Sequence, residues 1–127
     1  MKTAKRILVI DDEDDIREVV QLSLEMIGGY EVLTAESGDK GLSRAETEQP
    51  DVILLDVMMP DMDGPTTFRT LQTNRRTRHI PVILLTAKVQ AADRRRFADL
   101  GVKAVFTKPF DPMRLADQVT EVLEWAR

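Results

Sequence analysis

Short apolar runs alternate with segments of helical period along this chain, and that alternation limits the folds open to it. The four clearest runs lie at residues 7–10, 52–55, 82–85 and 104–107. A short run that is apolar at nearly every position is typical of a strand buried on both faces. Because parallel strands need a crossover between them, strands that alternate with helices favour a parallel sheet covered on both faces. We therefore predict an α/β fold.

The segments between the runs carry the signals that start and stop helices. The first helix is predicted from apolar residues at helical spacing, followed by glycine: Ile16, Val19, Val20, Leu24 and Ile27, then Gly28-Gly29. A short second strand is predicted at Val32-Leu33, and later helices at residues 39–48, around Phe68 and Leu71, at residues 91–100, and from Asp111-Pro112 onward. Five strands then alternate with five helices, which predicts one domain over residues 1–127.

Composition narrows the class of protein. A net charge of -4 gives no reason to expect nucleic acid or an anionic membrane as the main partner. The absence of cysteine excludes a disulfide framework and a thiolate metal site. No stretch has the length of a membrane span, and the first apolar run is too short for a signal peptide. We expect a cytoplasmic globular protein without membrane contact.

Each of the four apolar runs is followed or ended by polar side chains. Asp11-Asp12 follows the first run, Asp56 the second, Thr86 the third, and Lys108 the fourth. In an open parallel sheet, ligands bind in the crevice outside the carboxyl ends of the strands. We therefore expect three carboxylates, a hydroxyl and an ammonium to converge at one edge of the sheet.

This set of groups predicts a metal-assisted phosphoryl site. Adjacent carboxylates repel one another, and oxygen ligands without histidine or cysteine favour magnesium, or manganese, over zinc. A carboxylate held beside such a metal can attack phosphorus, so Asp56 is the candidate nucleophile. Lys108 and Thr86 would contact the phosphoryl oxygens. For Asp14 and Asp15 we prefer a simpler interpretation, an acidic first turn of the first helix.

The chain resembles the receiver domain of bacterial response regulators. The motifs that carry the resemblance are Ile7-Leu8-Val9-Ile10-Asp11-Asp12-Glu13, Leu54-Leu55-Asp56-Val57-Met58-Met59-Pro60-Asp61-Met62-Asp63-Gly64, Leu85-Thr86-Ala87-Lys88 and Lys108-Pro109-Phe110. They span nearly the whole chain, in the order and spacing of that family. The resemblance implies a (βα)5 fold with a doubly wound five-stranded parallel sheet, in the flavodoxin-like order 2-1-3-4-5.

The resemblance also implies a function. Asp56 would accept a phosphoryl group from the phosphohistidine of a histidine kinase, with magnesium held by Asp11, Asp12, Asp56 and the backbone carbonyl of Met58. Thr86 would turn toward the phosphate as a switch residue, and Lys108 would contact it beside a cis Lys108–Pro109 bond. Such a protein is a phosphoacceptor with slow self-catalysed phosphorylation and dephosphorylation, rather than an enzyme acting on a separate substrate.

One position departs from the family pattern. Many receivers carry Tyr or Phe three residues before the site lysine, as part of the switch, and Val105 stands there in this chain. Phe106 is adjacent, but neighbouring strand residues face opposite ways, so we expect Phe106 in the core. We also interpret Met58 and Lys88 as tuning residues that lengthen the phosphorylated lifetime. The alternative for Lys88 is a lysine that points to solvent.

The partners expected from the sequence are a sensor histidine kinase or phosphotransfer protein and a downstream protein target. Because the printed chain ends with the last predicted helix, we expect no DNA-binding domain; a homodimer is left open. Three alternatives remain: a receiver from a hybrid kinase or larger regulator, a metal-dependent phosphatase with an aspartyl nucleophile, and an inert receiver-like module. The chain keeps Asp56, Lys108 and the acidic pair, which an inert module is expected to lack.

Overall fold

The computed structural model describes residues 4–87 and 90–125, and in them five strands alternate with five helices. The apolar runs form the strands: residues 7–10, 52–55 and 82–85 are buried between two layers of helices, and residues 104–107 are partly buried. The strands are β1 (Arg6–Ile10), β2 (Glu31–Ala35), β3 (Val52–Asp56), β4 (Val82–Thr86) and β5 (Ala104–Thr107).

All neighbouring strands pair in parallel, in the order β2-β1-β3-β4-β5. This confirms the predicted doubly wound sheet and its order. The register aligns Ile10 with Leu55, Asp56 with Leu85, and Thr86 with Thr107. The strand ends therefore meet at one edge of the sheet, where the polar residues follow.

Five helices cover the two faces of the sheet. They are α1 (Asp14–Met26), α2 (Gly38–Glu48), α3 (Gly64–Thr73), α4 (Ala91–Asp99) and α5 (Leu115–Leu123). Two of them begin at a side-chain cap, which satisfies an amide that the helix itself leaves unpaired. Ser37 accepts a hydrogen bond from the Lys40 amide at the start of α2, and Asp63 accepts one from the Thr66 amide at the start of α3.

The helices sort the core into two clusters, one on each face of the sheet. One cluster contains side chains of α2, α3 and α4, including Ala45, Phe68 and Phe97. The other contains side chains of α1 and α5, including Leu24 and Val119. Alternate residues of the same strand enter opposite clusters, as the period of a strand requires. The sheet is thus buried on both faces, and only its edges and loops can hold a polar site.

Two helices differ in detail from the sequence prediction. In α1, Val20 and Leu24 are fully buried, but Val19 is 40% exposed because it lies at the margin of the apolar stripe. Regular α5 begins at Leu115, three residues after Pro112. The amides of Arg114 and Leu115 both donate to the Asp111 carbonyl, so a turn precedes the helix.

The opposite edge of the sheet, where the strands begin, is closed by aromatic packing. Trp125 packs edge-on against Tyr30 with ring centroids 5.5 Å apart, and the Lys5 ammonium lies 5.4 Å from the Trp125 centroid. The Tyr30 hydroxyl is hydrogen-bonded to Thr120 of α5. Trp125 thus covers the end of the last helix. Across residues 4–87 and 90–125, no helix combines the length and apolar character needed to cross a membrane.

Candidate functional site

The candidate site lies at the carboxyl edge of the sheet, where four strands deliver polar residues. Asp11 directly follows β1, Asp56 is the last residue of β3, Thr86 is the last residue of β4, and Lys108 directly follows β5. The preceding strand residues are held on both faces by the core. The backbone that carries each polar side chain is consequently held by a strand of the sheet, which fixes where the side chain enters the site.

Three carboxylates form the centre of the site. Oxygen atoms of Asp11, Asp12 and Asp56 all lie within 4.8 Å of one another. Asp11 is fully buried and Asp56 is 2% exposed, whereas Asp12 is partly exposed. Asp12 Oδ1 and Asp56 Oδ2 are buried and accept no hydrogen bond within the described part of the chain. Unpartnered buried oxygens beside like charges fit a hard divalent cation, since such an ion satisfies both.

Lys108 joins two of these carboxylates. Its Nζ donates to Asp11 Oδ2 at 3.0 Å and to Asp56 Oδ1 at 2.9 Å, and its side chain is only 15% exposed. The Lys108 backbone is held as well, since its amide donates to the Thr86 carbonyl at 2.8 Å. The Lys108–Pro109 bond is cis, as the resemblance implies. The ammonium can therefore contact an anion that binds at Asp56.

The site shifts the pKa of both partners in this ion pair. Burial raises the pKa of Asp56 to about 6, and the neighbouring charges of Asp11 and Asp12 add to the rise, while Lys108 opposes it. Burial alone would lower the pKa of Lys108, but its hydrogen bonds to Asp56 and Asp11 reverse this and raise it. At neutral pH, Asp56 is thus an anion and Lys108 a cation, as a nucleophile and its counterion need to be.

The acidic turn, residues 11–14, has its own set of hydrogen bonds. The Asp11 amide donates to the Ala35 carbonyl, and Asp11 Oδ1 accepts from the Glu13 amide at 2.9 Å. Arg17 of α1 donates to the Asp11 carbonyl and is paired with Asp14. Arg17 is not among the site residues predicted from the sequence. The signal available was an arginine in the first turn of the helix that follows the acidic pair.

The loop from β3 to α3 brings its backbone against the site. The Gly64 amide donates to the Val57 carbonyl at 2.9 Å, which folds the loop back on β3. A Cβ on Gly64 would lie 2.6 Å from the Asp56 carbonyl oxygen, so this approach requires glycine. Met58 follows on this loop and is 60% exposed. Asp63 serves as the α3 cap, which gives that carboxylate a structural role.

The predicted switch residues lie on two neighbouring strands. Thr86 is fully buried at the end of β4, and Val105 is half-buried on β5, opposite Leu84. Val105 packs against the cluster under α2, α3 and α4, whereas Phe106 packs, partly buried, against the cluster under α1 and α5. Phe106 therefore belongs to the other face of the sheet, as expected.

Of the remaining predicted residues, the structure describes Asp14 and Asp15 but not Lys88. Asp14 and Asp15 are exposed in the first turn of α1, where acidic residues suit the helix dipole. Lys88, predicted to tune the lifetime, lies outside the residues that the structure describes. Its predicted role rests on its place in the sequence alone.

Curated relatives of this chain are transcriptional regulators. The alkaline phosphatase synthesis transcriptional regulatory protein PhoP of Bacillus subtilis is 40% identical over 94% of this chain. RpaA of Synechocystis, a DNA-binding dual master transcriptional regulator, is 42% identical over 93% of this chain. In each case this chain spans 48% of the relative's length.

These relatives contradict the expected output of the chain. We predicted a protein target and no DNA-binding domain, because the printed chain ends with its last helix. This prediction is wrong, since relatives of about twice this length include a DNA-binding regulator. The end of the printed sequence is therefore no guide to what the receiver controls.

Solved structures share the whole fold. The chemotaxis protein CheY4 of Vibrio cholerae has a TM-score of 0.87 at 30% identity, covering 94% of this chain and 99% of its own. The receiver domain of a histidine kinase from Syntrophus aciditrophicus has a TM-score of 0.84 at 32% identity, covering 98% and 93%. The sequence model of the family described as response regulator receiver domain matches residues 7–120 of this chain. The chain belongs to the family of response regulator receiver domains, which are signalling phosphoacceptors of two-component systems.

Proposed function

We propose that this receiver domain, which we assign to residues 1–127, accepts a phosphoryl group on Asp56 in a magnesium-dependent reaction. The observation that carries the proposal is the state of the Asp56 side chain. One oxygen is bound by Lys108, and the other is buried beside two further carboxylates with no hydrogen-bond partner among the described residues. This arrangement places the counterion beside the nucleophilic carboxylate and leaves one carboxylate oxygen for the proposed metal.

Asp11, Asp12, Asp56 and the carbonyl of Met58 would hold the metal. The bound cation would neutralise phosphoryl oxygens and so allow an anionic nucleophile to approach an anionic donor. Lys108 would pair with a further phosphoryl oxygen, and the Thr86 hydroxyl would donate to another. The protein's own contribution is positioning and charge, which phosphoryl transfer chiefly requires.

The donor we propose is the phosphohistidine of a histidine kinase. An Asp56 oxygen forms a bond to phosphorus, the bond from phosphorus to the imidazole nitrogen breaks, and the electron pair of that bond returns to the imidazole. The product is an acyl phosphate on Asp56. Its later hydrolysis transfers the phosphoryl group to water and regenerates the carboxylate, so the domain resets itself. The signal is a movement of Thr86 toward the phosphate and a change at the face that contains Val105.

The test is the intact mass of the protein after incubation with acetyl phosphate and magnesium. We expect one phosphoryl adduct, which is absent after chelation and absent in Asp56→Asn. Asp61→Asn is the matched control, because Asp61 is an exposed carboxylate on the following loop. An adduct that persists in Asp56→Asn would contradict the assignment of the acceptor. Turnover of a small phosphate ester would instead favour a phosphatase.

A further inference from the structure

Arg17 links helix α1 to the acidic turn through two groups at once. Its Nη1 donates to the Asp11 carbonyl at 2.7 Å, and its Nη2 pairs with Asp14 Oδ1. The side chain is 16% exposed, so its polar end is largely covered by these contacts. Because the guanidinium group is planar and rigid, an arginine bound to two acceptors fixes their positions relative to each other.

The bond to the Asp11 carbonyl acts at a particular place in the site. That carbonyl belongs to the peptide bond between Asp11 and Asp12, the two adjacent carboxylates of the centre. The Asp11 amide is fixed from the other side, since it donates to the Ala35 carbonyl of β2 at 3.1 Å. Arg17 thus supplies the second restraint, and it determines how the peptide plane between the two carboxylates is turned.

We infer that Arg17 is a positioning residue for the metal site, which it supports by fixing the Asp11–Asp12 peptide bond. Without it, that peptide bond can rotate and Asp12 can turn away from Asp56. Asp12 is the carboxylate that depends on this restraint, because Asp11 is separately bound by Lys108 and by the Glu13 amide. The inference rests on the proposed function, since it concerns the same site.

Positioning and charge predict opposite effects of removing Arg17. A cation near the carboxylates repels a second cation, so loss of charge alone would strengthen magnesium binding. Loss of positioning would weaken it, as is usual when a residue that orients metal ligands is replaced. The direction of the change therefore separates the two roles, and a merely structural contribution to folding would produce neither.

The experiment is a calorimetric titration with magnesium on the folded variants Arg17→Ala, Arg17→Gln and Arg17→Lys. We expect Arg17→Ala to weaken magnesium binding about tenfold. Arg17→Gln and Arg17→Lys should lie between Arg17→Ala and the unaltered protein, because each keeps one nitrogen that can donate a hydrogen bond. If Arg17→Ala fails to fold, the magnesium affinities of Arg17→Gln and Arg17→Lys are compared with that of the unaltered protein instead. Arg44→Ala is the matched control, since Arg44 donates to the Thr34 carbonyl on β2 and should leave affinity unchanged.

The outcomes distinguish this inference from the proposed function. If the unaltered protein binds no magnesium, the metal site fails and the role of Arg17 fails with it. If it binds magnesium and Arg17→Ala binds equally or more tightly, the site stands and the positioning role is overturned. The unfolding midpoints of the unaltered protein and of both alanine variants, measured in chelator, report the effect of each substitution on stability without metal. A midpoint lowered to the same extent in Arg17→Ala and Arg44→Ala, together with a loss of affinity in Arg17→Ala only, supports positioning.

Discussion

Asp56 is an ionised carboxylate in a place that water scarcely reaches. Its exposure is 2%, and Asp11, which is fully buried, adds a second negative charge nearby. Lys108 offsets this repulsion only in part, because burial and the neighbouring carboxylates raise the pKa of Asp56 to about 6 despite the ammonium. The proposed phosphoacceptor therefore destabilises the fold in the absence of metal.

Removing this charge should stabilise the metal-free protein. The pKa of Asp56 is about 6 in the folded state against 3.8 for an unperturbed carboxyl, so its ionisation favours unfolding above pH 6. In chelator, we expect Asp56→Asn to raise the free energy of unfolding by at most about 3 kcal/mol at neutral pH. Because the folded state takes up the proton first, the gain should shrink as pH falls through 6 and vanish below 3.8.

Urea denaturation in chelator at about pH 7.5 and about pH 4.5 checks this pH dependence, since linear extrapolation to water gives the free energy of unfolding at each pH. Glu18→Gln, an exposed carboxylate on α1, is the control and should change little at either pH. An Asp56→Asn protein that is less stable at neutral pH would mean that the ion pair with Lys108 outweighs the cost of burial.

Met58 gives a second prediction for a single residue. Its side chain is 60% exposed on the loop directly after Asp56, where it can cover the approach to the acyl phosphate. Met58→Asn replaces this side chain by a shorter, polar one. The change should admit water and shorten the lifetime of the phosphorylated protein several-fold. The decay of the phosphoryl adduct by intact mass measures this. Met113→Asn, also exposed but near α5, should decay as the unaltered protein does, and an unchanged rate in Met58→Asn would end the tuning interpretation.

The start of α3 illustrates how an element can depend on one small residue. Gly64 lies at the first position of the helix, and a Cβ there would meet the Asp56 carbonyl oxygen at 2.6 Å and the Val57 Cα at 2.8 Å. These backbone atoms lie at the end of a buried strand, so displacing them costs free energy. We expect Gly64→Ala to destabilise the protein by about 1–3 kcal/mol. Urea denaturation measures this; Thr70→Ala, at an exposed position of the same helix, should lie within about 0.5 kcal/mol of the unaltered protein.

The alternation of elements and the strand-end residues could be predicted because each rests on a local pattern with one dominant physical cause. A run buried on both faces is apolar throughout, so the polar residue that ends it marks the edge of the sheet. The start of α5 could not be placed as well. Asp111 does accept backbone hydrogen bonds, but the turn that they hold precedes regular helix by three residues. Arg17 was missed because its role depends on where its guanidinium reaches, which periodicity does not encode.

At the scale of the whole molecule, the two edges of the sheet differ in chemical character. Within residues 4–87 and 90–125, the carboxyl edge holds buried oxygens without a hydrogen bond and a carboxyl group of raised pKa, whereas the opposite edge is closed by Tyr30, Trp125 and Lys5. The strands that join them are about 13 Å long over four residue steps. Trp125, the only tryptophan, therefore stands far from the candidate metal site and reports on the fold rather than on the site.

This separation allows a test of whether metal binding stabilises the domain as one unit. Magnesium that binds only the folded protein, at a hundred times its Kd, should add about 2.7 kcal/mol to the free energy of unfolding. The unfolding midpoint read from Trp125 fluorescence should then rise by several degrees, because a small domain unfolds cooperatively. The fluorescence of the folded protein should stay unchanged.

Asp12→Asn should lose the magnesium response, and Asp15→Asn, exposed in the same acidic segment, should keep it. A rise of equal size in Asp12→Asn, or with sodium chloride at matched ionic strength, would indicate screening of the acidic chain instead of binding at the strand ends.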